Sequence, residues 1–154
     1  MPEHSVPFQR VLVPVDFSSD SLAALDVASQ RFAHPSASLL LVHAADGPVE
    51  AVTDTEFVGK HAQLVQARAD KLHRQLQALV DRHKHQSPWR DVEAVVESGK
   101  PADVILSAAN GFKASLVVMG AHGKTGLSRA FFGGTTYQVA RRLGCSVMVL
   151  RSGK

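Results

Sequence analysis

The sequence predicts an open α/β domain: a single, doubly wound parallel sheet with helices on both faces. Short runs of nearly continuous apolar residues alternate along the chain with segments of helical periodicity, which is the pattern of strand–helix–strand crossovers. These runs lack the polar alternation of a half-exposed strand, so we expect them to be covered on both faces. With 154 residues, 45% of them hydrophobic, the chain is long enough for one domain whose core needs no disulfide or metal.

The amino-terminal part of the chain predicts a leader, two strands and a helix. The first nine residues include two prolines and lack the layout of a secretory signal, so we expect a loose leader (residues 1–9) before a domain spanning residues 10–154. Two runs rich in valine and leucine, Arg10 to Val15 and Ser38 to Ala44, have the length of buried strands. Between them, apolar residues recur at helical spacing from Asp20 to Ala33, and Pro35 ends the pattern.

The longest amphipathic pattern follows a predicted loop over Asp46 to Asp54. From Val58 to Leu79, apolar residues repeat every three or four positions, with charged and amide side chains between them. The same seam would suit a coiled coil, but about three heptads enclosed by strand–helix units favour one helix that covers the sheet.

Three further strands and two helices complete the predicted domain. The strands are Asp91 to Glu97, expected near an edge of the sheet, Ala114 to Met119, and Ser146 to Leu150. The helices run from Pro101 to Asn110, with Gly111 at the position that ends the helix, and from Thr135 to Leu143, closed by Gly144.

Composition and charge exclude several classes of protein. The 17 Lys and Arg against 14 Asp and Glu give a formal charge of +3 without a basic block, so we expect no nucleic-acid partner. No apolar stretch reaches the roughly 18 residues that a membrane span requires. A single cysteine, Cys145, excludes an internal disulfide framework and suits a reducing compartment, so we expect a cytoplasmic protein in which this thiol has a packing role.

Two segments at the carboxyl ends of predicted strands break the pattern of ordinary packing. Pro14-Val15-Asp16 ends the first strand, and Gly120-Ala121-His122-Gly123 leaves the fourth. In open α/β sheets, ligands bind outside the carboxyl ends of strands where the strand order reverses, so we expect these segments to line one crevice. Asp16 would serve there for a ribose hydroxyl or a phosphate-bound metal; its alternative role is only to cap the first helix.

A third segment, Gly133-Gly134-Thr135-Thr136, opens a helix. Glycines let a backbone approach an anion closely, the N–H groups of a first helical turn point towards it, and the two threonine hydroxyls would add donors. The segment predicts a phosphate cradle, with a plain helix cap as the alternative. Gly123-Lys124-Thr125 is not the end of a Walker A loop, because Val118 stands where that loop needs its first glycine. Lys124 and Arg129 either neutralise phosphates or are simply solvated.

The sequence contains no recognisable catalytic constellation. It has no G-x-S-x-G motif and no identifiable acid–base pair. His43, within an apolar strand, is expected to be a hydrogen-bonded core residue rather than a catalyst. The other histidines show no zinc-like arrangement, so no structural metal is predicted. The residues favour a binding site over an active site.

The spacing of the glycines is much more specific than any one of them. Gly120, two residues, Gly123, nine residues and then Gly133 resembles the nucleotide motif of the universal stress protein family, in which serine or threonine follows the last glycine. The resemblance extends to the segments VLVPVDFS, LLLVHA, SGKPADVIL, SLVVMGAHG and CSVMVLR, which occur in the family's order between residues 10 and 151.

This resemblance implies an adenine-nucleotide-binding fold of five strands ordered 3-2-1-4-5, with ATP and Mg²⁺, or another adenine nucleotide, as the ligand. By this resemblance, Pro14, Val15 and Asp16 border the adenosine, the backbone of Ala44 contacts adenine, Met119 and Gly120 lie beside the sugar, and Gly123, Gly133, Gly134, Thr135 and Thr136 meet the phosphates. His122 falls at a variable position of the motif, where it either meets phosphate or faces solvent.

One residue departs from the family's pattern. Gly134 stands where ATP-binding members usually carry serine or threonine, so a hydroxyl donor to phosphate is missing while the backbone N–H remains. A lost hydrogen bond of this kind costs about 0.5–1.5 kcal/mol, which weakens binding rather than abolishing it. Thr135 would substitute if the loop shifted by one residue.

Three functions are compatible with these residues. The first is an ATP-binding stress-response module that regulates a partner the sequence does not identify. For this module the resemblance implies a homodimer, and the last strand, Ser146 to Leu150, offers an edge for pairing. The second is an interaction dimer of the same family that binds no nucleotide, as suggested by Gly134. The third is a slow ATPase.

Overall fold

The computed structural model describes residues 7–45, 55–123 and 133–151, with the backbone alone for residues 55–62. In this part of the chain, the strands are β1 (Arg10–Pro14), β2 (Ser38–Ala45), β3 (Asp91–Ser98), β4 (Leu116–Gly120) and β5 (Ser146–Leu150). The helices are α1 (Ser19–Phe32), α2 (Thr55–Gln86), α3 (Pro101–Phe112) and α4 (Gly134–Arg142). The strands form one sheet in the order β3-β2-β1-β4-β5.

This topology confirms the predicted fold class and strand order. β1 lies at the centre and pairs in parallel with β2 on one side and β4 on the other. β3 pairs with β2, and β5 pairs with β4, so β3 lies at an edge as expected. The chain is wound first to one side of β1 and then to the other, and a crevice therefore opens at the carboxyl ends of β1 and β4.

The apolar strand runs are buried because helices cover both faces of the sheet. Val11 and Val13 of β1 belong to the core on the face of α1 and α2, together with Leu25 and Val80. Leu12, between them, belongs to the opposite core with residues of α3. The burial of each such side chain contributes about 1.5–3 kcal/mol, which explains why a run without polar alternation forms the central strand.

The carboxyl end of α3 differs from the prediction. The helix continues through Gly111 and ends at Phe112. Lys113 follows in the left-handed conformation (φ 54°) and donates its N–H to the carbonyls of Ala109 and Asn110. The prediction that Gly111 ends the helix is therefore wrong. The two extra helical residues let Phe112 pack against the core between the sheet and α3.

The other element ends differ by a few residues. α4 begins one residue earlier than predicted, at Gly134, and ends at Arg142 with Leu143 as its C-cap, so Gly144 does not close it. β4 begins at Leu116, two residues later than predicted, and β1 ends at Pro14 rather than Val15. α2 extends beyond both ends of the predicted pattern.

Parts of the predicted leader and loop lie outside the described residues. Residues 1–6 of the leader and the loop over residues 46–54 fall in this category. The end of the leader contacts the domain, since the ring of Phe8 meets that of Phe32 edge-on with centroids 5.6 Å apart. The Gln9 carbonyl also accepts a 2.8 Å hydrogen bond from the Ser38 N–H.

A buried polar chain joins α1 to the end of α2. The imidazole of His83 is 4% exposed, and its Nδ1 shares a 2.8 Å hydrogen bond with Ser29 Oγ. Trp89 Nε1 donates to the same hydroxyl at 3.1 Å. Among the described residues, His83 Nε2 has no hydrogen-bond partner, and Asp26 Oδ1 lies 3.8 Å from it. Burial lowers the pKa of His83 below its ordinary value; Asp26 opposes this shift and Arg82 adds to it.

We expect the protein to lose stability as the pH falls below about 6.5, in a way that depends on His83. Because the folded state binds this proton less readily than the unfolded chain, unfolding takes up a proton and the free energy of unfolding decreases. One group accounts for a slope of at most about 1.4 kcal/mol per pH unit. Urea unfolding between about pH 7.5 and pH 5 measures this slope.

A pair of variants isolates the contribution of His83. In His83→Gln the slope should be shallower than in the wild type, because the titrating group is gone. His73→Gln, at an exposed position of the same helix, should keep the wild-type slope. If His83→Gln kept it as well, another group would be responsible.

Candidate functional site

A cleft of about 360 Å³ opens at the carboxyl ends of β1, β2 and β4, beside the amino-terminal turns of α3 and α4. Its volume lies in the range of small-molecule sites, about 300–1,000 Å³. The lining includes ten of the twelve residues selected from the sequence: Pro14, Val15, Asp16, Ala44, Met119, Gly120, His122, Gly123, Thr135 and Thr136. Gly133 and Gly134 lie outside this lining. The two segments at the strand ends therefore meet, as the predicted topology requires.

Asp16 stands where β1 gives way to α1. Its Oδ1 accepts a 2.9 Å hydrogen bond from the Ser18 N–H, and the Ser18 side chain caps α1 by accepting from the Ser21 N–H at 3.2 Å. Ser18, and not Asp16, is therefore the cap of α1. The other carboxylate oxygen faces the segment after β4, since a Cβ on Gly123 would lie 2.8 Å from Asp16 Oδ2. The carboxylate thus lies between the two strand ends that form the cleft.

Close packing of α1 against the end of β4 shapes one wall of the cleft. A Cβ on Gly120 would lie 2.7 Å from Cβ of Asp20 and 2.9 Å from its carbonyl carbon, so glycine is required here. The Asp20 side chain, 11% exposed, places Oδ2 3.7 Å from Nδ1 of His122, which is itself 17% exposed. Of the two positions expected for His122, the structure favours the cleft wall over open solvent.

The amino terminus of α4 supplies peptide donors at one end of the cleft. Gly133 is the N-cap, and its N–H donates to the Ala121 carbonyl at 2.8 Å. The N–H of Ala121 donates in turn to the Leu150 carbonyl at 2.7 Å. The first helical hydrogen bond runs from the Tyr137 N–H to the Gly133 carbonyl, so the N–H groups of residues 134–136 precede it. These donors, at the positive end of the helix dipole, attract an anion.

The two threonines of this turn have different roles. Thr136 is 3% exposed, and its hydroxyl donates to the Gly120 carbonyl at 2.9 Å, because a buried hydroxyl needs a partner. The hydroxyl is thus directed towards a backbone carbonyl, and its contact with phosphate stays a prediction. Thr135 lines the cleft and remains a candidate donor. Gly134 is exposed, and a Cβ there would meet nothing within 4 Å.

The sequence does not single out five further lining residues as ligand contacts: Ser21, Val42, His43, Pro101 and Ile105. Val42 and His43 lie at the carboxyl end of β2, and Pro101 begins the helix after β3. The rule that selects Asp16, the end of a strand beside the switch point, could have found them. His43 is hydrogen-bonded as expected, since its Nδ1 lies 2.7 Å from the Val15 carbonyl oxygen.

The chemistry of the cleft is that of a binding site with an apolar side and a polar side. Val42, Ile105 and Met119 are buried apolar residues of its lining, and the start of α4 provides the N–H donors. In residues 7–45, 55–123 and 133–151, no group of three or more His, Cys, Asp or Glu side chains is placed to hold a metal ion. The arrangement suits a ligand that carries both a flat apolar group and an anionic group.

Other residues with candidate chemistry lie away from the cleft. Burial raises the pKa of the Cys145 thiol, which keeps the thiol protonated and agrees with a packing role. Lys124 and Arg129 lie outside the described residues.

The chain is an open, doubly wound α/β domain with a cleft where the strand order reverses, which is where domains of this class bind their ligands. The model of the universal stress protein family matches residues 7–151, and the chain belongs to this family. A relative from Thermus aquaticus, named "Universal stress protein in QAH/OAS sulfhydrylase 3'region", is 31% identical over 144 residues, which cover 94% of this chain and 99% of the relative.

Two solved structures are similar over almost the whole chain. The hypothetical protein MJ0577 has a TM-score of 0.78 at 20% identity, with 97% of this chain and 99% of that chain covered, and shares the fold. A universal stress protein in complex with cAMP has a TM-score of 0.65 at 27% identity, with 93% and 96% covered. In the described part of the chain, none of the helices has the length and hydropathy that a membrane span requires.

We expect Gly120→Ala to destabilise the domain by about 1–3 kcal/mol, because the new methyl group would push α1 away from β4. Urea unfolding followed by circular dichroism measures the change. Gly111→Ala is the matched control: its Cβ would meet nothing within 4 Å, and it lies inside α3. Alanine is favoured over glycine in a helix, so this control should be neutral or gain up to about 1 kcal/mol. Wild-type stability in Gly120→Ala would contradict the close approach.

Proposed function

We propose that the protein binds an adenine nucleotide in this cleft, with MgATP as its working ligand, and acts as a cytoplasmic stress-response module that regulates a partner rather than as a catalyst. The observation that carries the proposal is the presence, in one cleft, of a strand peptide group at Ala44 and the peptide donors at the start of α4. A purine edge suits the first, and phosphates suit the second. The family member solved with cAMP, 27% identical to this chain, adds support.

Ala44 directs its peptide group towards the cleft because β1 ends before β2 does. In a parallel sheet, alternate residues turn their N–H and C=O towards the same neighbouring strand. The Val42 carbonyl accepts from the Val15 N–H at 2.8 Å, so Val42 faces β1 and Ala44, two residues later, faces the same way. Because β1 stops at Pro14, the N–H donor and the C=O acceptor of Ala44 lie side by side beyond the end of that strand. Adenine presents a ring-nitrogen acceptor and an amine donor in the same arrangement.

The family's motif and the geometry of the cleft support the following placement of the rest of the nucleotide. The sugar lies beside Met119 and Gly120, with the Asp16 carboxylate in reach of a ribose hydroxyl. The phosphates lie at Gly123 and at the N–H groups of residues 134–136, where the helix dipole favours negative charge. Because the Gly133 N–H is bound to a carbonyl, it takes no part in this contact.

Magnesium fits this assignment without a dedicated protein cage. Mg²⁺ in nucleotide sites is held largely by phosphate oxygens and water, with one or two carboxylates. Asp16 provides one such carboxylate on the cleft lining. When bound, the ion would neutralise phosphate charge.

The hydroxyl groups at the cleft support binding rather than catalysis. The Ser21 hydroxyl donates to the Ser18 carbonyl at 3.1 Å, so no base activates it as a nucleophile. Thr136 is engaged in the same way with the Gly120 carbonyl. A slow ATPase remains a measurable alternative: phosphate release above background, lost in Asp16→Ala, would establish it.

We also propose that two copies of the chain associate through β5. In the described part of the chain, this strand pairs with β4 on one side and forms an edge of the sheet on the other. The side chains of residues 147–150 are apolar and only half-buried, which suits an edge that a second copy covers.

A thermal melt with MgATP, AMP, cAMP, adenosine or MgGTP tests the nucleotide proposal. A ligand at about 100 times its Kd stabilises the native state by about 2.7 kcal/mol and raises Tm by several degrees. We expect MgATP to raise Tm more than adenosine does, and more than MgGTP does at the same concentration. The absence of a shift with every adenine nucleotide at millimolar concentration would contradict the proposal and favour the interaction dimer.

We expect Gly134→Ser to tighten ATP binding, because it restores a hydroxyl at the first position of α4 where a side chain meets no obstacle. The gain should be about 0.5–1.5 kcal/mol, or roughly 2- to 12-fold in Kd, by isothermal titration. Gly134→Ala is the matched control for the helical effect of replacing glycine. Adenosine, which lacks phosphates, should bind all three proteins equally. Equal ATP affinity in the Ser and Ala variants would show that this hydroxyl does not reach the phosphates.

A further inference from the structure

We propose that His43 is a positioning residue for base recognition: its imidazole takes the Val15 carbonyl that would otherwise accept the Ala44 N–H, and so keeps this N–H available to the base. The consequence for the base rests on the proposed nucleotide function. The hydrogen bond of His43 to the Val15 carbonyl is a property of the ligand-free protein and does not depend on the proposed nucleotide function.

The register of β1 and β2 shows which hydrogen bond is replaced. Pro14 pairs with Val42, and the Val15 N–H donates to the Val42 carbonyl at 2.8 Å. In a parallel ladder, the next bond of this series would run from the Ala44 N–H to the Val15 carbonyl. That carbonyl instead lies 2.7 Å from Nδ1 of His43. A carbonyl oxygen only accepts, so Nδ1 carries the proton in this bond.

The chain leaves the sheet at the same place. Phe17 has a left-handed backbone with φ of 63°, which is unfavourable for a bulky residue. Its ring contacts the imidazole of His43, with centroids 5.6 Å apart. The half-buried imidazole therefore contacts both Phe17 and the Val15 carbonyl, and it satisfies this carbonyl while the turn bends away from β2.

An available Ala44 N–H would matter because it distinguishes adenine from guanine. At the ring nitrogen next to the exocyclic group, adenine presents an acceptor and guanine presents an N–H donor. A backbone donor at Ala44 thus pairs with adenine and opposes guanine, whereas an Ala44 N–H engaged by Val15 would do neither. Selectivity for the base is then set by His43, a residue that acts through the backbone of its neighbour.

Hydrogen exchange of backbone amides in the ligand-free protein tests the structural part. We expect the Ala44 amide to exchange faster than the Val42 amide, which lies within the β1–β2 ladder. In His43→Leu the Ala44 amide should join the ladder and slow by about tenfold or more. In His43→Asn, nearly isosteric with leucine, the side-chain amide can donate to Val15, and Ala44 should exchange as in the wild type.

Two outcomes would overturn the proposal: an Ala44 amide as protected as Val42 in the wild type, or equal Ala44 exchange in the Leu and Asn variants. The wild-type comparison needs no variant, so it can overturn the proposal even where His43→Leu fails to fold.

Isothermal titration with MgATP and MgGTP tests the consequence for the base. His43→Leu should weaken ATP binding by about tenfold and lower the ATP-to-GTP ratio of affinities by the same factor. His43→Asn should retain both, as should His73→Leu at an exposed position of α2. Weaker ATP binding at an unchanged ratio would overturn the selectivity role. If the wild type binds no adenine nucleotide, the proposed function fails, and amide exchange still decides the role of His43.

Discussion

Burial of the central strand is the constraint on which the rest of the structure depends. Val11, Leu12 and Val13 have no exposed surface, and β1 is paired along both edges. Because β1 is central, the connection from β1 leads to one side of the sheet and the connection into β4 leads to the other side. The crevice is the space between these two connections. β1 is also short, with five residues against eight in β2, so its ladder with β2 ends early and exposes backbone at the cleft. The position of the cleft thus follows from winding and strand length.

Most polar side chains of the cleft are already engaged by the protein itself. Asp16 holds the Ser18 N–H, Thr136 holds the Gly120 carbonyl, and His43 holds the Val15 carbonyl. The groups left for a ligand belong mainly to the backbone, at the end of β2 and at the start of α4. Such groups are fixed before a ligand arrives, which reduces the entropy lost on binding. Under the proposed function, a site built from backbone groups would tolerate changes of side chain, so glycine at position 134 does not argue against phosphate binding.

The fold class can be predicted from the sequence because buried parallel strands appear as continuous apolar runs between helical patterns. The bounds of β5 also agree with the prediction. It fails at Gly111, where local preference favours a helix end but burial of Phe112 extends the helix. For the site, the strand-end rule and the family resemblance locate most of the lining. What the residues alone do not reveal is the direction of a side chain: that the hydroxyl of Thr136 turns inward, or that His43 replaces a backbone donor. Both depend on where one strand ends relative to its neighbour, which is a property of the assembled sheet.

Ala121 gives the cleft a rigid connection to the far edge of the sheet. Its N–H holds the end of β5 through the Leu150 carbonyl, and its own carbonyl holds the Gly133 N–H at the start of α4. The two peptide groups on either side of the fully buried Ala121 therefore link the start of α4, where the proposed anion would lie, to the outermost strand. A displacement of Ala121 would therefore distort both hydrogen bonds at the same time. The position of the edge strand and the geometry of the proposed anion site are therefore coupled through one residue.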